Sequence, residues 1–131
     1  VTTPGRRYEE VDRENIAYSG DWIFNNRNRT WSEGSAVKTN IPGSRVTFKF
    51  TGTSVSWIGC QKSSAGGKAK IFIDDVEKKQ VNNKQPEPIE GYQHTIYRVD
   101  GLTDGPHTLT IEALPSGGSW LVVDAFDVHP K

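Results

Sequence analysis

A two-layer antiparallel β-sandwich is the fold this sequence predicts, and three observations carry the expectation. Short runs with period-two alternation recur along the chain, and clusters of Gly, Pro, Asn and Ser separate them. No stretch of ten or more residues shows a helical apolar stripe. The length of 131 residues suits one compact domain.

The strands follow in order. "IAYSGDWIF" reads as one strand with Trp22 in the core. "SRVTFKFT" sets Val46, Phe48 and Phe50 on one face and Thr47 and Lys49 on the other. "SVSWIG" comes next, after "TGT". A two-residue Gly52-Thr53 turn would pair Phe50 with Val55 and Phe48 with Trp57, which puts Trp57 on the core face with one edge toward a pocket. "AKIFIDD" presents Ala69, Ile71 and Ile73 together, and "HTIYRVD", "HTLTIEA" and "WLVVDAFDV" complete the set. Along the last run, Val122, Asp124, Phe126 and Val128 share one face, while Leu121, Val123, Ala125 and Asp127 share the other.

Antiparallel succession then sorts the connections. "PGS", "CQKSSAGGK", "VNNKQPEPIEGYQ" and "LPSGGS" fall at one end; "NNRNRTWSEG", "TGT", the "DDV" turn and "GLTDGP" fall at the other. The first end collects long, polar, glycine-rich loops, where sandwich folds commonly place function.

Composition narrows the partners. Sixteen basic and sixteen acidic residues cancel, which argues against nucleic acid and anionic membranes. No apolar run approaches the ~20 residues of a membrane span. Cys60 is the single cysteine, so no intrachain disulfide forms. The opening "VTTPGRR" reads as a linker remnant over residues 1–7, with one domain over residues 8–131 cut from a longer chain and no signal peptide in this fragment.

"IAYSGDW", "VTFKFTGTSVSWIG", "GGKAKIFIDD", "GLTDGPHTLTIEA" and "VVDAFDV", in that order, resemble bacterial carbohydrate-binding modules of the galactose-binding-domain-like β-jelly-roll type, families 6 and 35. The resemblance runs from Tyr8 to Val128. It implies an extracellular, non-catalytic module that tethers a polysaccharide-degrading enzyme to its glycan. Asp74-Asp75 stands where such modules usually carry Asp-Gly, which opens the question of that turn's geometry. The resemblance also implies a structural calcium between the N-terminal segment and the last strand. Glu9 and Glu10, helped by Asp12, would meet Asp124 or Asp127 there. The alternative is a salt bridge from one aspartate to Arg6, Arg7 or Arg13, or a backbone hydrogen bond.

Catalytic patterns are missing. There is no nucleophile elbow and no H-E-x-x-H helix, and His94, His107 and His129 stand apart. Cys60 with His94, or Glu87 with Glu90, make poor constellations, the latter on a Pro-flanked loop. Sugar binding asks instead for an exposed aromatic ring against the C–H face and directional polar groups for the hydroxyls. Tyr92 and Trp120 answer the first demand; Gln61, Lys62, Asn82, Asn83, Gln93 and Ser119 answer the second, although amides also serve turns. Trp57 lends an edge if it reaches the loop end. Trp31 closes its own loop or forms a second platform.

The sequence thus points to a monomeric carbohydrate-binding domain whose partners are a polysaccharide and a catalytic domain of the same chain. A structural or protein-docking sandwich without a sugar site is the alternative, and a small esterase or glycosidase is the less favoured one.

Overall fold

The computed structural model describes residues 6–9, 12, 14–27, 35–59, 68–82, 94–115 and 121–129, with backbone alone at 24–27, 35, 82 and 94. The described residues form twelve strands: β1 (Arg6–Glu9), β2 (Ile16–Ser19), β3 (Ile23–Arg27), β4 (Ser35–Thr39), β5 (Arg45–Gly52), β6 (Val55–Gly59), β7 (Lys68–Ile73), β8 (Val76–Asn82), β9 (His94–Val99), β10 (Gly105–Ala113), β11 (Leu121–Val123) and β12 (Ala125–Val128). One layer runs β2-β5-β10-β7-β8 and the other β1-β12-β6-β9, which β11-β4-β3 continues past Asp124. Every pairing is antiparallel. The predicted all-β sandwich is the observed fold.

Alternation explains the core. β5 buries Val46, Phe48 and Phe50, β7 buries Ala69, Ile71 and Ile73, and β10 adds Leu109, Ile111 and Ala113. Their partners come from the facing layer. Phe48 stacks on Phe126 at 4.6 Å between ring centroids and 10° between planes, and Tyr8 tilts against Phe48 at 5.0 Å. Outward on the same strands lie Arg45, Thr47 and Lys49; Arg45 pairs with Glu112 at 2.7 Å.

Three expectations change. β5 and β6 form no hairpin: β5 pairs with β2 and β10, whereas β6 pairs with β12 and β9. The chain crosses between layers at Gly52–Ser54, because facing a common core from two sheets buries more apolar surface than a two-stranded ribbon can. "IAYSGDWIF" splits at Gly20 (φ +89°) into β2 and β3, in different sheets, with the Trp22 indole donating to Ser19 O at 2.9 Å. Arg6 and Arg7, assigned to a linker on sequence, are paired in β1 opposite Val128 and Asp127.

The Asp74-Asp75 turn is a primed hairpin turn, with φ of 51° and 66°, between the paired Ile73 and Val76. Asp-Gly would adopt the same geometry with less strain. Asp75→Gly should therefore raise the unfolding free energy by on the order of 0.5 kcal/mol, relief of left-handed strain less the entropy glycine adds to the unfolded chain. Asp74→Gly should lower it, because the Asp74 carboxylate accepts from His107 Nδ1 at 2.7 Å and from Thr108 N at 2.9 Å. Melting curves of the two variants decide the matter; a stabilising Asp74→Gly would show those bonds contribute nothing.

Candidate functional site

Strand register brings the predicted loop end together. Lys68 pairs with Asn82, Leu114 N donates to Lys68 O at 3.0 Å, and Gly43 N donates to Ala113 O at 2.8 Å. In the facing layer Gly59 pairs with His94 and Leu121 with Thr39. Three connections therefore leave one layer and enter the other at this end: residues 60–67, 83–93 and 114–120. Gln61, Lys62, Asn83, Tyr92, Gln93, Ser119 and Trp120 belong to them and lie outside the described residues, as do Cys60, Glu87 and Glu90. Asn82 closes β8, and its backbone alone is described. Trp31 also lies outside.

Trp57 is fully buried, and its indole N–H donates to Val122 O at 3.1 Å. It offers no face to a ligand, so the core reading is the one the structure shows.

The aspartates of the last strand have separate roles. Asp127 is held bidentately by Arg7, Nε to Oδ1 at 2.7 Å and Nη2 to Oδ2 at 2.9 Å. That hydrogen bonding, with the charges of Asp127, Glu9 and Asp124 adding to it and burial opposing, raises the Arg7 guanidinium above its ordinary pKa. Asp124 is completely buried between β11 and β12, and its N–H donates to Ile58 O at 2.9 Å. The alternation breaks there. Leu121 and Val123 enter the core before it, Phe126 after it, so Asp124 is an extra residue that resets the inward face. The expected face shared by Val122, Asp124, Phe126 and Val128 does not exist.

Among the described residues no three His, Cys, Asp or Glu side chains gather as a metal ion requires. Asp127 spends both oxygens on Arg7; Glu9 and Asp124 remain beside that guanidinium, and Glu10 lies outside the described residues. The described part supplies only a fraction of the six to eight oxygens calcium takes.

One pairing bears on the hydrolase alternative. Ser56 Oγ lies 2.6 Å from His129 Nε2, yet Ser56 is only 1% exposed and cannot reach a substrate. The pair ties β6 to the chain end.

Sequence reasoning missed a cleft at the opposite end, an opening of about 390 Å³ lined by Tyr8, Asn15, Lys49, Thr51, Asp74 and Thr108, with Phe50, Pro106 and His107. His107 Nδ1 donates to Asp74 Oδ2 at 2.7 Å and Nε2 donates to Thr103 O at 2.6 Å. Carboxylate and carbonyl oxygens only accept, so the protonated ring, with an N–H on each nitrogen, is the form that satisfies both bonds. The Thr103 carbonyl first, then Asp74, holds the His107 pKa above its ordinary value, and the bond from His107 lowers that of Asp74. The period-two placement of His107 beside Leu109 and Ile111 was the available signal.

The fold defines the class: a two-layer antiparallel β-sandwich. It superposes on a family 35 carbohydrate-binding module from an environmental isolate with a TM-score of 0.67 and 13% identity, covering 96% of this chain and 92% of that one. The chain belongs to the carbohydrate esterase 2 N-terminal family, whose model matches residues 29–116. It is also similar to two Flavonifractor plautii proteins. The A type blood N-acetyl-alpha-D-galactosamine deacetylase is 33% identical over 110 residues, 82% of this chain and 14% of that protein. The A type blood alpha-D-galactosamine galactosaminidase is 42% identical over 62 residues, 47% of this chain and 6% of that protein. The chain thus spans a small part of each relative.

Proposed function

We propose that this chain is a non-catalytic glycan-binding module that holds a carbohydrate-active enzyme on its substrate outside the cell, and that it acts as a monomer. The observation that carries the reading is the convergence of three layer-crossing connections at one end, which bear Tyr92 and Trp120 among Gln61, Lys62, Asn83 and Ser119, with Asn82 at their margin. Tethering raises the local concentration of the attached enzyme at its polysaccharide. Both curated relatives are named for galactosamine chemistry, which supports galactosamine- and galactose-bearing glycans as the ligand class.

The test pairs binding with inertness. Affinity gels containing A type glycans, galactans or plant cell-wall polysaccharides should retard the protein without release of reducing ends or acetate. Sugar or acetate released by pure protein would sink the non-catalytic reading, and absence of retardation on every glycan would favour a structural accessory domain. Trp120→Ala and Tyr92→Ala should each weaken binding about tenfold, the loss of roughly 1.4 kcal/mol of ring contact, while leaving the melting temperature nearly unchanged. If Trp120→Ala unfolds the domain, the ring is a core residue and the site lies elsewhere on the loop end.

Calcium held by Glu9, Glu10 and Asp124 is part of the same proposal. Chelator should lower the melting temperature and calcium restore it, through preferential binding to the folded state. An unchanged curve, with no metal in elemental analysis, would leave these carboxylates to Arg7 and the backbone.

A further inference from the structure

The cleft opposite the loop end has a charge arrangement that the loop-end site does not need. When His107 is protonated, its charge and that of Asp74 cancel. Asp12, beside the cleft, accepts from Glu14 N at 3.0 Å and from the backbone and side-chain nitrogens of Asn15 at 3.2 and 3.1 Å. Burial is the largest single influence on Asp12 and pushes its pKa up, but those bonds and the Arg6 charge together hold it below the ordinary value. Lys49 differs. It points outward from β5 and, among the described residues, no carboxylate forms an ion pair with it. Asp74 is matched by His107 and Asp12 is held by neutral nitrogens of Glu14 and Asn15, while the Lys49 ammonium pairs with no described carboxylate.

We propose that this cleft is a second saccharide site that selects a sugar bearing a carboxylate or sulfate, with Lys49 as the selecting charge. The proposal rests on the glycan-binding reading but places its ligand at the other end of the sandwich. The volume of about 390 Å³ falls within the range of small-molecule sites and is larger than a bare anion requires. The Thr51 and Thr108 hydroxyls and the Asn15 side-chain carbonyl provide partners for sugar hydroxyls, and Pro106 provides an apolar edge. An ammonium is a point charge that serves planar carboxylate and tetrahedral sulfate alike.

The arrangement also makes the selection pH-dependent. His107 is held by Asp74 on the β7–β8 turn and by the Thr103 carbonyl before β10; Lys49 of β5, opposite Thr108 rather than His107 in the register, and Tyr8 of β1 belong to the same lining, and Lys78 of β8 acts on Asp74. While His107 is protonated, the lining carries the net positive charge of Lys49. Loss of the proton exposes the charge of Asp74 and brings the lining to neutrality. Anion affinity therefore falls as pH rises through the His107 pKa, which lies above its ordinary value.

The experiment is a titration followed by backbone amide NMR at Lys49 and Thr108. Trigalacturonate and galactose 6-sulfate are the charged probes, β-1,3-galactotriose the neutral probe, and sodium acetate and sodium sulfate the anion controls. Both charged sugars should shift these amides at pH 6, with affinity about tenfold weaker at pH 9. Lys49→Gln should abolish the preference for charged sugars while leaving gel retardation through the loop end unchanged. Equal binding of the neutral triose, equal binding of acetate or sulfate, retained preference in Lys49→Gln, pH-independent affinity, or no shift with either charged sugar would each overturn the proposal. Trp120→Ala separates the two readings, since it should weaken loop-end binding about tenfold and leave the Lys49 titration intact.

Discussion

Trp57→Ala should lower the unfolding free energy by about 3–5 kcal/mol, the cost of truncating a fully buried aromatic side chain. Trp57 is the largest fully buried side chain among the described residues. Its removal opens a cavity between β6 and the core and leaves the Val122 carbonyl without the indole donor it has at 3.1 Å. Against a total stability of roughly 5–15 kcal/mol for a domain of this kind, that is a large share. Urea unfolding followed by circular dichroism should show a midpoint far below that of the parent, with an unchanged slope. Trp57→Phe should cost less, since it retains most of the apolar volume and loses only the donor. A Trp57→Ala protein that unfolds at the parental midpoint would show that the ring is not in the core.

Gly59→Ala should be the next most damaging change, at about 1–3 kcal/mol, the range for overpacking. The backbone at Gly59 is not left-handed, so the demand for glycine comes from close approach. A Cβ there would lie 2.5 Å from Val122 O, 3.2 Å from Ile96 Cγ1 and 3.3 Å from Trp57 Nε1. The carbonyl in the way is the one that accepts the Trp57 indole proton, so moving it also breaks that bond. Two readouts follow: a lower melting temperature and faster exchange of the Trp57 indole proton with solvent. Parental values for both would mean that β6 and β11 do not approach so closely.

Much of the fold was legible because the inner strands obey a simple period. Val46, Phe48 and Phe50 alternate with Thr47 and Lys49, and only one register buries all three rings and branches together. The sorting of loops between two ends followed from antiparallel succession alone, and the register at Lys68–Asn82 and Gly52–Gly105 agrees with it. The pairing of β5 was not legible. "TGT" between two alternating runs is a hairpin signal, yet the two strands choose partners in opposite sheets, and sequence distance carries no information about that choice. β1, β4 and β8 were missed because "RRYE", "SAVKT" and "VEKKQVN" are polar runs whose pairing comes from a neighbouring strand rather than from their own pattern.

The site divides the same way. Aromatic residues beside amides mark the loop end as the candidate from sequence, because sugar chemistry requires those residue types. The cleft around Lys49 and His107 left no sign there beyond the period-two placement of His107. The cleft lining comes from five separated places, Tyr8, Asn15, Lys49 to Thr51, Asp74 and Pro106 to Thr108, and none of them is unusual alone. Asp124 shows the difference most clearly. The sequence by itself determined that a carboxylate interrupts an apolar strand and must be satisfied if buried, since an unpaired charge in a core is costly. Only the tertiary structure decided that the strand breaks at that residue, that the inward face shifts from Val123 to Phe126 across it, and that Asp127 goes to Arg7. The physical reason is that alternation is a local property of one strand, whereas a bulge and an ion pair depend on which strands lie on either side.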